Sequence, residues 1–161
     1  MFLFDTDTLS QVLKRAPSPA LLARLATVPP DQHFTSAITV GEMVYGAYRS
    51  PSRDRLLQQL EERVWPNVRV LPFDRPAGEI YGRLRAELEQ AGTPLSEPDL
   101  RIAAIALTHD LTVVTGNVRH FARVPGLQVE NWLNKSSHQE RLTRGRRPHR
   151  PRAGDVAGSL R

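Results

Sequence analysis

Five short runs of large apolar or β-branched residues, set apart by longer stretches of helical pattern, constrain this chain more than any other feature. They are Phe2-Leu3-Phe4, His33-Phe34-Thr35-Ser36, Val68-Arg69-Val70-Leu71, Leu111-Thr112-Val113-Val114-Thr115 and Leu127-Gln128-Val129. The fourth is the most strand-like, being short, β-branched and patterned for burial on both faces. Between the runs, apolar residues recur at helical spacing. Helices are predicted from about Thr8 to Leu13, at 19–27, 39–49, 53–64, 76–91 and 98–109, with a short helical turn at 117–121. Pro19, Pro76 and Pro98 stand where a first helical turn tolerates a missing N–H, and Gly92 marks a helix end. Strands that alternate with helices need crossover connections. The chain is therefore predicted to be α/β, with a mostly parallel sheet covered by helices on both faces.

The apolar pattern stops at about residue 133. A chain of 161 residues suits one domain with a sizeable core and an appendage. We divide it into a folded domain at 1–133 and a basic, Pro/Arg-rich tail at 134–161 that is expected to be disordered, because it has too few large apolar side chains to fold alone. Residues 135–161 hold eight Lys/Arg and two acids, a net of +6, so the whole-chain charge of +5 leaves residues 1–134 at −1. The basicity belongs to the tail, which reads either as a solvated end or as a source of sequence-independent affinity for phosphate backbones.

The chain contains no cysteine. That excludes disulfides, thiolate zinc sites and thiol catalysis, and it accords with a cytoplasmic location. No apolar run reaches the roughly 18 residues needed to span a bilayer. The opening MFLFDTDTLS has an acid at position 5 and no basic stretch, so it reads as a strand that begins at once rather than a secretory signal. No G-x-G-x-x-G follows the first strand, which disfavours dinucleotide binding.

In an open α/β sheet, sites form beyond the carboxyl ends of the strands, near the point where strand order reverses. Asp5 ends the first strand. Asn117 follows the fourth, and Asp99 lies in the first turn of the helix that feeds it. Glu42 lies in the helix after the second strand. Structural readings compete for most of these positions. Asp99 suits a helix N-terminus, Thr39 and Glu42 match a capping box, Asp7 suits the N-cap of the first helix, and Asn117 suits a cap for the short helix after it. Asp5 follows three large apolar residues, where an unpaired carboxylate would be costly. Several acids held together repel one another, and a hard divalent cation with oxygen ligands relieves that repulsion. Such an ion positions a phosphodiester, activates water and stabilises the leaving oxygen.

Four segments carry a resemblance. Phe4-Asp5-Thr6-Asp7-Thr8 is like an opening strand ending in D-T-N or D-T-D. Ser36-Ala37-Ile38-Thr39-Val40-Gly41-Glu42-Met43-Val44-Tyr45-Gly46 is like S-x-x-T-x-x-E-x-x-x-G. Asp99-Leu100-Arg101-Ile102-Ala103-Ala104 is like D-x-x-I-A-A. Val114-Thr115-Gly116-Asn117-Val118-Arg119-His120-Phe121 and Pro125 to Trp132 complete the set. Over residues 1–133 the sequence resembles the PIN-domain family and, within it, the VapC-type toxins of bacterial toxin–antitoxin pairs.

The resemblance implies a three-layer α/β/α sandwich and a Mg2+-dependent endoribonuclease, with Mn2+ as a possible substitute. It makes Asp5 and Asp99 the principal metal ligands. Glu42 becomes a third acid, binding metal directly or through water, or helping to activate the nucleophilic water. Asn117 falls where many relatives carry a fourth acid, and Asp7 is a possible replacement for the charge that Asn117 lacks. Gly116 departs from the usual Asn. Ser36 and Thr115 are candidate supporting hydroxyls. The implied reaction is in-line attack by an activated water, leaving a 5′-phosphate and a 3′-hydroxyl. The implied partners are an RNA substrate, a small cognate antitoxin and a second copy in a homodimer formed through the helices after strands two and three; no membrane is implied. Val64, Trp65 and Tyr81 are either interface or core residues. The alternatives are a metal-dependent nuclease acting on DNA or structured RNA outside a toxin–antitoxin pair, and a non-catalytic module that binds an antitoxin or nucleic acid.

Overall fold

The computed structural model describes residues 1–134, so the disorder expected of the basic tail lies outside the described residues apart from Asn134. Five strands form one parallel sheet: β1 (Phe2–Phe4), β2 (His33–Ser36), β3 (Arg69–Leu71), β4 (Thr112–Val114) and β5 (Val129–Glu130). Their order across the sheet is β3-β2-β1-β4-β5. The register pairs Leu3 with Phe34 on one side and with Val113 on the other. The chain builds outward from β1 to β3, crosses back, and resumes on the opposite side of β1. Strand order therefore reverses between β1 and β4.

Alternation along the strands sends successive side chains to opposite faces. Leu3, Phe34 and Val113 enter one apolar cluster with helices α5 (Arg75–Gln90) and α6 (Glu97–Thr108). Phe4 and Val114 enter the other, with α1 (Thr6–Val12), α2 (Pro19–Leu25) and the region after α4 (Arg53–Gln59). Helix α3 (Ala37–Tyr48) contributes Met43 to the second cluster and Ile38 to the first. The result is the expected α/β/α sandwich. Helix α6 is the most deeply enclosed, with Ile102 to Ala106 all buried. Its three alanines let it lie close to the sheet, and a substitution larger than Ala there would overpack the core.

Several boundaries differ from the sequence expectation, for local reasons. The helix expected over 53–64 is regular only to Gln59; it widens into a π turn at Leu60–Val64 and then tightens into a 3-10 turn at Trp65–Asn67. Pro66 has no N–H to donate, and its ring opposes the carbonyl four residues back. Strand β4 begins at Thr112, because the Leu111 amide donates to Ala106 O at the end of α6. The last strand begins at Val129, because Leu127 donates to Val124 O in a turn that includes Gly126 at φ +77. Gly92 ends α5 as expected: it takes a left-handed φ of +70 and its amide bonds Glu89 O. Val64 is a core residue, 2% exposed, so the interface reading does not hold for it. Trp65 and Tyr81 are half-buried against the two clusters.

The caps also fall elsewhere. Asp5, not Asp7, caps α1, and its side chain accepts from the Thr8 amide. Ser36 caps α3, so Glu42 lies in the second turn of that helix and takes no part in a capping box. Helix α6 is capped by Ser96, with Asp99 three residues on. Asn117 occupies the N-cap position of α7 (Val118–Phe121), yet its side chain makes no capping bond.

Candidate active site

Asp5, Glu42, Asp99 and Asn117 all stand at the carboxyl end of the sheet, around the β1–β4 reversal. Asp5 continues β1, and its amide donates to Val114 O. The residue is 5% exposed. Burial pushes its pKa up from 3.8 to about 6, against hydrogen bonds from the Thr115 hydroxyl and the Thr8 amide that favour the ionised form; the Asp7 charge nearby pushes it further up. Thr115 is itself fully buried. It accepts the Asn117 amide at 2.8 Å. One hydroxyl thus stands between Asp5 and the loop that carries Asn117.

The Asn117 side chain turns to His120, with 2.7 Å between its amide nitrogen and Nδ1. The same Nδ1 lies 3.5 Å from Oδ2 of Asp99. A chain of hydrogen-bonding groups therefore runs from Asp5 through Thr115, Asn117 and His120 to Asp99, joining β1, the loop after β4, α7 and α6. Sequence reasoning gave His120 no role. The signal was present, because His120 lies three residues after Asn117, one helical turn apart.

Glu42 enters from the other side. The Thr6 hydroxyl donates to its Oε2, a bond that links the first residue of α1 to the second turn of α3. Thr6 and Glu42 also border a cleft of about 380 Å³ between α1, α3 and α4, lined mainly by Leu13, Met43, Leu56 and Leu60. Asp7 is exposed, with Oδ2 beside Gly116: a Cβ built on Gly116 would lie 3.8 Å from it and 3.1 Å from Leu133 Cδ1. A side chain at 116 would require Leu133 Cδ1 to give by a few tenths of an ångström. Ser36 lies fully buried, bonded to the Thr39 amide and hydroxyl, and holds the start of α3 rather than a site carboxylate.

Among the described residues, no three Asp, Glu or His side chains stand together as a ready-made metal cage. The donor chemistry nevertheless fits a hard divalent cation. Asp5 is a buried carboxylate that ionises against its surroundings, and Asp99 and Glu42 add carboxylate oxygens along the same sheet edge. Mg2+ commonly takes one or two protein carboxylates and keeps several waters, so a closed cage is not required.

The model of the PIN domain matches residues 2–127 of this chain. The chain belongs to the PIN-domain family. Within that family it is a VapC-type ribonuclease. It is 34% identical over 131 residues to the tRNA(fMet)-specific endonuclease VapC of Salmonella typhimurium, covering 81% of this chain and 97% of that one. It is 32% identical over 132 residues to ribonuclease VapC2 of Haemophilus influenzae, covering 82% and 98%. Among solved structures, the PIN fold of this chain matches the DNA-bound VapBC from Salmonella typhimurium with a TM-score of 0.76 at 35% identity, over 81% of this chain and 97% of that one. It matches FitAcB from Neisseria gonorrhoeae with a TM-score of 0.75 at 32% identity, over 81% and 97%. No helix among the described residues is long and apolar enough to cross a membrane.

Proposed function

We propose that the Asp5–Asp99 edge of the sheet binds a divalent cation, Mg2+ or in its place Mn2+, and that this PIN domain hydrolyses internal phosphodiester bonds of RNA. The observation that carries the reading is the run of polar groups Asp5, Thr115, Asn117, His120 and Asp99, which brings two acids 94 residues apart in sequence to one sheet edge at the strand-order reversal. When bound, the cation neutralises the two acids and the scissile phosphate and lowers the pKa of water.

The chain's own residues divide the remaining work. Asp5 and Asp99 hold the cation. Asn117, anchored through its backbone amide to Thr115, adds a neutral side chain bonded to His120, and Asp7 beside Gly116 restores a negative charge at that margin. Glu42 has Oε2 occupied by Thr6 and offers Oε1 to the proton of the attacking water. The Thr6 bond fixes the direction of that oxygen. In-line attack leaves a 5′-phosphate and a 3′-hydroxyl. Product-end analysis on a labelled RNA checks this: a 2′,3′-cyclic phosphate would instead require the substrate's own 2′-hydroxyl as nucleophile.

The relatives named VapBC and FitAcB, together with a toxin–antitoxin complex from Klebsiella pneumoniae, support a toxin role for this chain. In that role it acts in the cytoplasm, slows growth by cutting RNA, and is silenced by a small antitoxin laid over the acidic edge. The homodimer is proposed to form through α3 and α5. Tyr45 and Tyr48, each 62% exposed on α3, supply an aromatic surface for it.

A further inference from the structure

We propose that His120 is a positioning residue for the cation site, setting the carboxylate of Asp99 and the side chain of Asn117 with one ring nitrogen; this rests on the metal-dependent reading above. Three observations carry it. First, Nδ1 faces both groups, at 2.7 Å from the Asn117 amide and 3.5 Å from Asp99 Oδ2. Second, among the described residues no other side chain bonds the Asp99 carboxylate; the partner of Asp99 at Ser96 is bonded through the Asp99 backbone amide. Third, the Asn117 side chain leaves the capping position open and turns to His120 instead.

The hydrogen bookkeeping selects one arrangement. A single Nδ1 carries at most one proton. If the Asn117 NH2 donated to it, Nδ1 would present a lone pair to the Asp99 carboxylate, and the two would repel. If Nδ1–H instead faces both groups, it donates to Asp99 Oδ2 and to Asn117 Oδ1, once the amide is turned over. Rotating the amide exchanges two atoms of nearly equal size, so the geometry is unchanged. In this arrangement His120 occupies Oδ2 of Asp99 and leaves Oδ1 to the cation. A supporting partner of this kind fixes the orientation of a ligating carboxylate, and its loss typically lowers metal affinity about 10–100-fold.

The His120 side chain is 47% exposed, so removing it does not hollow the core. A merely structural residue at this exposure would leave cation affinity unchanged. The test is Mn2+ titration of the full chain, followed by the electron paramagnetic resonance signal of free Mn2+, on the native protein and on His120→Ala, His120→Asn and His120→Gln. The Asn side-chain nitrogen takes the place of Nδ1, whereas the Gln nitrogen takes that of Nε2. Mn2+ binding is expected to weaken about 10-fold or more in His120→Ala and His120→Gln and to stay close to native in His120→Asn. Added Mn2+ should restore the lost RNA cleavage. Native affinity in His120→Ala overturns the proposal. So does equal affinity in His120→Asn and His120→Gln, a comparison that stands even if the alanine variant fails to fold. Absence of Mn2+ binding in the native chain would overturn the metal reading itself, and this inference with it.

Discussion

The Thr6 hydroxyl donates to the Glu42 carboxylate across 36 residues of sequence. It is the bond that holds the acid of α3 against the start of α1. A hydrogen bond to a charged group is worth about 1.5–3 kcal/mol. Thr6→Val keeps the shape and removes the donor. Its kcat on a short RNA should fall about 10-fold or more, with the melting temperature little changed, and Thr6→Ser should recover most of the rate. A native kcat in Thr6→Val would remove Thr6 from the account.

Asp5 makes stability depend on pH in an unusual direction. Its pKa is about 6 in the folded chain against 3.8 when unfolded, because burial favours the neutral acid. Between these values the folded state binds the extra proton. The contribution of Asp5 is therefore complete below about pH 4 and is lost as pH rises through about 6, at a cost of about 3 kcal/mol by pH 8. Asp5→Asn cannot ionise. In EDTA it should melt several degrees above the native chain at pH 8 and close to it at pH 4, while cutting no RNA at either. A melting temperature lowered equally at both pH values would contradict this.

Two buried hydroxyls separate by role. Ser36 caps α3 and bonds Thr39, so Ser36→Ala should cost about 1 kcal/mol of stability and leave Mn2+ affinity intact. Thr115 bonds Asp5 and receives the Asn117 amide, so Thr115→Val should weaken Mn2+ binding about 10-fold or more. Thermal melts and metal titration on both variants decide it. A reversed pattern would mean that the supporting hydroxyl is Ser36.

The layers and the parallel sheet were legible in the sequence because hydrophobic period reports burial directly. Phe2 to Phe4, His33 to Ser36 and the Val113-Val114 pair carry the strand signal, and α5 and α6 fall within a residue of expectation. The polar residues at the strand ends were legible through topology, since a carboxylate after Phe4 has few other reasons to be there. What sequence could not supply was register at helix starts. Moving the cap of α3 to Ser36 takes Glu42 out of the first turn and removes its capping role. Moving the cap of α1 to Asp5 gives that acid a structural bond as well. Side-chain partners between α6 and α7 were out of reach, because the Asp99–His120 contact depends on how two helices meet across 21 residues.

This edge of the sheet is proposed to cut RNA through a divalent cation held by Asp5 and Asp99. The most direct measurement is cleavage of a labelled RNA by the full chain and by Asp99→Ala, each with Mg2+ and with EDTA, alongside circular dichroism of both proteins. Cleavage is expected by the native chain with Mg2+ alone, none in EDTA, and none by an Asp99→Ala protein whose fold is intact. Undiminished cleavage in EDTA, or by the folded Asp99→Ala variant, would contradict it.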